Sequence, residues 1–96
     1  MPGWILESTD PALTLRLPPG VVKTIGRTVR ADFIVEAALV SRVHCRLTAG
    51  TDDQLTVEDL DSTNGIQVNG QRVTRATLKT GDTLAVGRVE FRVTLA

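Results

Sequence analysis

Hydrophobic and polar residues alternate along much of this chain with a period of two. Leu13, Leu15 and Leu17 are separated by single polar residues, which is the pattern of a strand with one buried face. Residues 89–95 alternate in the same way, with every hydrophobic side chain at an odd position. Both segments are therefore predicted to be β-strands that turn one face towards a core.

The other alternating segments are short and are bounded by residues that favour turns. Residues 36–40 are predicted to be loop, because five residues without capping residues are too few for a stable helix. In residues 43–49 the alternation places Val43 and Cys45 on the buried face and His44 on the other face. About ten closely spaced strands without a helix predict an all-β fold, an antiparallel β-sandwich. The further strands are expected at residues 4–8, 21–25, 32–35, 55–57, 66–68 and 71–73, around Leu78, and at 84–86.

Two Asn-Gly dipeptides lie within seven residues of one another. Asn69-Gly70 separates two short alternating runs, which predicts a β-hairpin with a type I′ turn, since that turn needs positive φ at both central residues. Asn64-Gly65 instead follows Asp61-Ser62-Thr63, whose side chains favour hydrogen bonds to nearby backbone. A polar, tightly turned loop therefore leads into a rigid hairpin, which is a typical support for a recognition site.

Composition narrows the function classes. The 96 residues, of which 42% are hydrophobic, predict one globular domain over residues 1–96. Lys and Arg balance Asp and Glu at 11 each, so binding to nucleic acid or to a membrane surface through a basic excess is not expected. Cys45 is the only cysteine, and the N-terminus has no secretory signal pattern. These observations predict a protein of the reducing cytoplasm, without a metal or other cofactor.

Three predicted loops carry more polar groups than turns require. They contain Gly26-Arg27, the segment 41–44 (Ser-Arg-Val-His) and the segment 62–65 (Ser-Thr-Asn-Gly). Alternate loops of a sandwich meet at one end, so these three can converge there. Two guanidinium groups, several hydroxyl groups and an amide would then surround one point, and this set of donors suits a phosphate dianion.

The same residues resemble the forkhead-associated (FHA) family of phosphopeptide-binding domains. The motifs occur in the family's order and at about its spacing, and the resemblance covers roughly residues 22–95. They are Gly26-Arg27, Ser41-Arg42-x-His44, Asp61-Ser62-Thr63-Asn64-Gly65, Val68-Asn69-Gly70 and Leu78-x-x-Gly81-Asp82 through Gly87.

The resemblance implies a fold, a ligand and residue roles. The fold would be an FHA-like sandwich of two twisted sheets with eleven strands, and the function would be non-catalytic recognition of a phosphothreonine-containing protein or peptide in signalling. His44 would support the loops from beneath, and the turn residues Gly26, Gly65, Asn69 and Gly70 would fix their geometry. The groups that would hold the phosphothreonine and the adjacent peptide backbone are Arg27, Ser41, Arg42, Thr63 and Asn64.

Some positions and functions stay open. Some family members carry a basic residue shortly before the serine, which reads an acid three places after the phosphothreonine. This chain has Leu39-Val40 there, which predicts an apolar or weak preference at that peptide position. One alternative is a β-sandwich that binds partners without phosphorylation. Another is a small hydrolase using Ser41 and His44, which lacks a second general base. The module is expected to be monomeric or to form part of a larger protein.

Overall fold

The chain folds into eleven β-strands, and the computed structural model describes residues 3–96. These residues contain no helix, and hence no helix long and apolar enough to cross a membrane. The strands are β1 Trp4–Thr9, β2 Ala12–Leu17, β3 Val22–Gly26, β4 Phe33–Ile34, β5 Cys45–Ala49, β6 Leu55–Asp59, β7 Ile66–Val68, β8 Gln71–Val73, β9 Arg75–Leu78, β10 Thr83–Val86 and β11 Val89–Leu95.

The strands form two sheets that make a β-sandwich. One sheet has six strands in the order β2-β1-β11-β10-β7-β8, and the other has five in the order β4-β3-β5-β6-β9. The pairs are antiparallel except for β3 with β4, which run parallel. The all-β class and the sandwich expected from the alternation are confirmed.

The core lies between the sheets and is built from the buried faces of the alternating segments. Phe91 and Leu84 come from the six-stranded sheet, Leu47 and Val57 come from the other, and all four are fully buried. On β11 the even positions 90 and 92 are exposed, as the alternation predicts. Burial of the hydrophobic faces of many short strands therefore sets which side of each strand faces the core.

Several strand boundaries differ from the sequence prediction, and two strands are shorter than predicted. The strand expected to begin at Val43 begins at Cys45, and the strand expected over residues 32–35 contains only residues 33–34. His44 is fully buried and does not lie on the solvent face where the alternation placed it. The reason is that residues 41–44 form a loop, so the period of two does not extend back to them.

The register of the strands brings the polar loops to one end of the sandwich. Strand β3 ends at Gly26 and the antiparallel β5 starts at Cys45, which pairs with Asp59 at the end of β6. The β10–β11 turn lies at the same end, because Val86 pairs with Ile66 at the start of β7. The loops 27–32, 35–44 and 60–65 and the turn at Gly87 therefore meet around one location.

Candidate phosphopeptide-binding site

An open groove of about 630 Å³ lies where these loops meet. One wall is the segment 36–40, which is apolar apart from Glu36, and polar side chains from the other loops form the opposite wall. The groove-lining residues are Arg27, Thr28, Glu36, Ala37, Ala38, Leu39, Val40, Ser41, Thr63 and Asn64.

Arg27 enters the groove directly from the end of β3. Its backbone N–H donates to the Ser41 carbonyl (2.9 Å), and its Nε donates to the Val40 carbonyl (2.9 Å). The Nε bond fixes the plane of the guanidinium, and among the described residues no hydrogen bond uses the two terminal nitrogens. These nitrogens are left to donate to an anion in the groove.

Gly26 allows the two loops to approach this closely. A Cβ at this position would lie 2.2 Å from the Arg42 carbonyl oxygen and 2.9 Å from the Ala31 Cβ. Any side chain here would therefore push the 41–44 loop away from β3. The glycine is required by a close contact between backbones, since its φ is not in the left-handed region.

Ser41 presents its hydroxyl group to the groove in a defined orientation. The Ser41 Oγ accepts the backbone N–H of Thr63 (3.1 Å), which joins the second loop to the third. Because the oxygen is the acceptor in that bond, the hydroxyl proton can be donated to a ligand. Thr63 is exposed beside it, so two hydroxyl groups and the Arg27 guanidinium flank the same space.

His44 is buried beneath the groove and makes two hydrogen bonds. Its Nδ1 accepts the backbone N–H of Ser41 (2.9 Å), so its Nε2 carries the proton and donates to the Gly65 carbonyl (2.7 Å). The ring is thus held as one neutral tautomer between two of the loops. Neither ring nitrogen is left to take a proton from the Ser41 hydroxyl, as a serine hydrolase would require.

The third loop is held by its own side chains and by the groove's apolar wall. Ser62 Oγ donates to Asp59 (2.5 Å) and accepts the Gly65 N–H (2.9 Å). Asn64 Nδ2 donates to the Leu39 carbonyl (3.1 Å), which leaves its side-chain oxygen available to a ligand. Asn64 thereby connects the polar wall of the groove to the apolar wall.

Leu39 and Gly87 fix the position of that apolar wall. Leu39 has a φ of 71°, in the left-handed region, and its side chain is exposed. A Cβ at Gly87 would lie 2.8 Å from the Leu39 carbonyl oxygen, so the glycine lets the β10–β11 turn pack against this loop. Gly87 ends the last of the family motifs in the sequence, but the motif gives no sign of this contact with Leu39.

The structure brings most of the predicted site residues together. Arg27, Ser41, Thr63 and Asn64 line the groove, with Gly26, His44 and Gly65 supporting them. Arg42 is exposed and does not line the groove; its carbonyl accepts the Thr28 N–H and hydroxyl. Leu39 and Val40, which the resemblance placed beside the bound peptide, also line the groove. Thr28, Glu36, Ala37 and Ala38 were not predicted to line it, because isolated residues of these types in loops carry no sequence signal.

Asn69 and Gly70 lie at the other end of β7 from the groove. Their φ values of 52° and 83° match the predicted type I′ turn. The Asn69 side chain binds the carboxylate of Asp82 (3.0 Å) and the N–H of Thr83 (2.9 Å). Asn69 and Gly70 can therefore support the groove only indirectly, by fixing the geometry of the β7–β8 hairpin.

Two further observations limit the chemistry that is available near the groove. Burial, and to a lesser extent the charge of Asp59, raises the pKa of the Cys45 thiol to about 12, so this cysteine is a poor nucleophile at neutral pH. Within residues 3–96 no three His, Cys, Asp or Glu side chains cluster closely enough to hold a metal ion.

Comparison with known proteins agrees with this geometry. The profile of the FHA domain family matches residues 23–87. The chain is 40% identical over 79 residues to the ABC transporter ATP-binding/permease protein Rv1747 of Mycobacterium tuberculosis; the match covers 82% of this chain but only 9% of that protein.

Two solved structures have the same fold. Mycobacterium tuberculosis EmbR in complex with a low-affinity phosphopeptide superposes with a TM-score of 0.86 and 26% identity, over 98% of this chain and 24% of EmbR. An FHA domain solved for a study of phosphothreonine-dependent FHA domain interactions superposes with a TM-score of 0.87 and 30% identity, over 98% of this chain and 97% of that chain. The family profile spans more than half of the chain, with the site motifs inside it, and the chain therefore belongs to the FHA domain family.

Proposed function

We propose that this chain is a non-catalytic module that binds phosphothreonine-containing peptides of a protein partner and so mediates phosphorylation-dependent association in signalling. The observation that carries the proposal is the convergence of Arg27, Ser41, Thr63 and Asn64 on one groove. Similar structures support it, since EmbR is seen with a phosphopeptide and the other FHA domain belongs to work on phosphothreonine-dependent interactions.

The arrangement of donors suits a phosphate on a peptide. The guanidinium of Arg27 offers paired N–H donors that match phosphate oxygens, and the hydroxyl groups of Ser41 and Thr63 supply further donors. Asn64 lies at the edge of the groove with a free side-chain oxygen, where it can accept an N–H of the peptide backbone. Capture therefore uses preformed loops and forms no covalent bond.

The number of donors also suits reversible binding. Each hydrogen bond to a charged group contributes about 1.5–3 kcal/mol. Four such bonds, after the costs of desolvation and ordering, can give about −8 kcal/mol, which corresponds to a Kd of about 1 µM.

The surroundings of Ser41 favour binding over catalysis. His44 uses Nδ1 and Nε2 for the Ser41 N–H and the Gly65 carbonyl, so it is not free to act as a general base for the Ser41 hydroxyl. We therefore place the module among recognition domains of the cytoplasm, where the unpaired thiol of Cys45 would remain reduced. Residues 1–96 would form a single phosphopeptide-binding domain.

Titration of matched peptides with phosphorylated and unphosphorylated threonine tests the proposal. The peptides come from a degenerate phosphothreonine library, and binding is measured by fluorescence anisotropy. We expect binding of the phosphorylated form only. Arg27→Ala should weaken it at least about 100-fold, since two bonds of about 1.5–3 kcal/mol each are lost at about 1.4 kcal/mol per tenfold.

The matched control is Arg92→Ala, which removes an exposed arginine from the outer face of β11. It should leave binding unchanged, and circular dichroism should show both variants folded. Equal binding of the two peptide forms, or full binding by Arg27→Ala, would favour the alternative of a phosphorylation-independent interaction domain and overturn the proposal.

A further inference from the structure

Arg72 lies directly against the third loop of the groove. A Cβ at Gly65 would be 2.7 Å from the Arg72 Nε, 2.8 Å from its Cζ and 2.9 Å from its Nη2. The guanidinium thus occupies the space beside Gly65 that a side chain would fill. Gly65 has a φ of 76° and is held from other sides by His44 and Ser62, so the arginine rests on a fixed support.

The charge of Arg72 is not neutralised by the protein. Arg72 is an exposed residue on β8, opposite Gln67 on β7. Among residues 3–96 one ion pair is seen, between Arg46 and Glu58. No hydrogen bond among these residues uses the Arg72 side chain. Its donors are therefore available to an anion from outside the chain.

Arg72 lies beside the loop that lines the groove, so its guanidinium can contact a peptide bound there. Asn64 lines the groove, and Gly65, on which Arg72 rests, is the next residue. A peptide that follows the groove past Asn64 would reach the guanidinium within a few residues of its phosphothreonine. The segment 37–40 that forms the apolar wall of the groove carries no cation itself.

We propose that Arg72 is a specificity-determining residue that binds a second anionic group of the partner, close in sequence to the phosphothreonine. This proposal rests on the proposed function. The anionic group is a carboxylate or a second phosphate, because both accept the forked donors of a guanidinium. Since the contact with Gly65 already restricts the arginine, little ordering opposes the interaction.

An acidic scan of the peptide tests the assignment. The reference peptide has one phosphothreonine with alanine at the four positions on each side, and single aspartates replace these alanines one at a time. We expect one or two adjacent positions at which aspartate tightens binding by about 3- to 10-fold. Arg72→Ala should abolish that gain while binding the reference peptide within about twofold of the unsubstituted protein.

Phosphoserine at the responsive position identifies the source of the anion. A larger gain than aspartate gives indicates a second phosphate, and an equal or smaller gain indicates a carboxylate. Arg16→Ala on β2 is the matched control and should keep the full gain.

Three results would overturn the assignment. One is an aspartate gain that survives in Arg72→Ala, another is the absence of a responsive position, and the third is an equal loss of affinity for all peptides in Arg72→Ala. The equal loss would show that Arg72 only supports the loop. Failure of the unsubstituted protein to bind the reference peptide would reject the proposed function itself, which is a distinct outcome, and this assignment would fall with it.

Discussion

His44 joins two loops of the groove without facing its ligand. The ring accepts Ser41 N–H and donates to the Gly65 carbonyl, and it is fully buried. A buried backbone group without a partner costs about 1–3 kcal/mol, so the ring satisfies two groups that water cannot reach easily. The position of the Ser41 hydroxyl depends on these bonds, because the backbone N–H that His44 accepts belongs to Ser41 itself.

His44→Phe should therefore destabilise the fold and weaken peptide binding together. Phenylalanine fills a similar volume but makes neither hydrogen bond, so we expect the free energy of unfolding in urea to fall by about 2–4 kcal/mol. Phosphothreonine peptide affinity should fall as well, because the Ser41 and Gly65 loops lose their common anchor. Thr48→Ala, an exposed change on β5, serves as the control and should alter stability by less than about 0.5 kcal/mol. A stable His44→Phe variant with unchanged affinity would refute this role.

At the scale of elements, the β7–β8 hairpin connects the groove to the opposite end of the sandwich. There Asn69 Nδ2 donates to the carboxylate of Asp82 (3.0 Å), and the Lys79 N–H donates to the same carboxylate (2.8 Å). The Asn69 bond is the main cause that lowers the pKa of Asp82 below its ordinary value of 3.8; burial opposes it, and the Lys79 N–H and charge add to it.

Asn69→Ala should raise the pKa of Asp82 back towards 3.8. Because the folded-state pKa is depressed, the stability contributed by the charged carboxylate is complete above about pH 4 and is lost as the pH falls through the folded-state pKa. The stability difference between the two proteins should therefore shrink as the pH falls below about 4. The Asp82 carboxyl chemical shift and urea midpoints measure the two effects.

The other Asn-Gly pair provides the control for this prediction. Asn64→Ala removes an exposed asparagine at the groove end of the same hairpin and should leave the titration of Asp82 unchanged. Identical Asp82 titrations in Asn69→Ala and the unsubstituted protein would show that the hydrogen bond does not set this pKa.

The elements were predictable where one face of a strand is buried over several residues. In β11 and β2 the period of two extends over the whole strand, and the predicted faces are correct. The face that the alternation gave His44 was wrong, because residues 41–44 form a loop in which the Ser41 N–H donates to the His44 ring. The position of His44 beneath the loops had been implied only by the family resemblance. Alternation does not distinguish a residue buried between sheets from one buried under a loop.

At the scale of the whole molecule, the convergence of the three motif-bearing loops was predictable from the sandwich and the order of motifs. The contacts between distant residues that shape the groove were not. The left-handed Leu39 against Gly87 and the Arg72 guanidinium against Gly65 depend on which loops meet in three dimensions. The resemblance implied that Arg42 binds the phosphate, and this role stays a prediction, since its exposed side chain is not among those that line the groove.

The core and the groove should also be coupled thermodynamically, and Cys45 offers a way to measure this. The thiol is fully buried on β5, which lies in the middle of the five-stranded sheet, and its pKa is raised to about 12. A thiol reagent can therefore reach it only when the sheets separate. Labelling of Cys45 at pH 8 should report global opening of the fold.

A phosphothreonine peptide at 100 times its Kd should slow this labelling by about 100-fold, because a ligand that binds only the folded state lowers the open fraction by the factor 1 + [L]/Kd. Arg27→Ala should show no slowing at the same peptide concentration. Thr48→Cys adds an exposed thiol on the same strand, which should react at once with or without peptide and so confirm that the reagent is active. If the peptide binds the unsubstituted protein yet leaves Cys45 labelling unchanged, the thiol is exposed by local opening of β5, and occupancy of the groove is not coupled to the core.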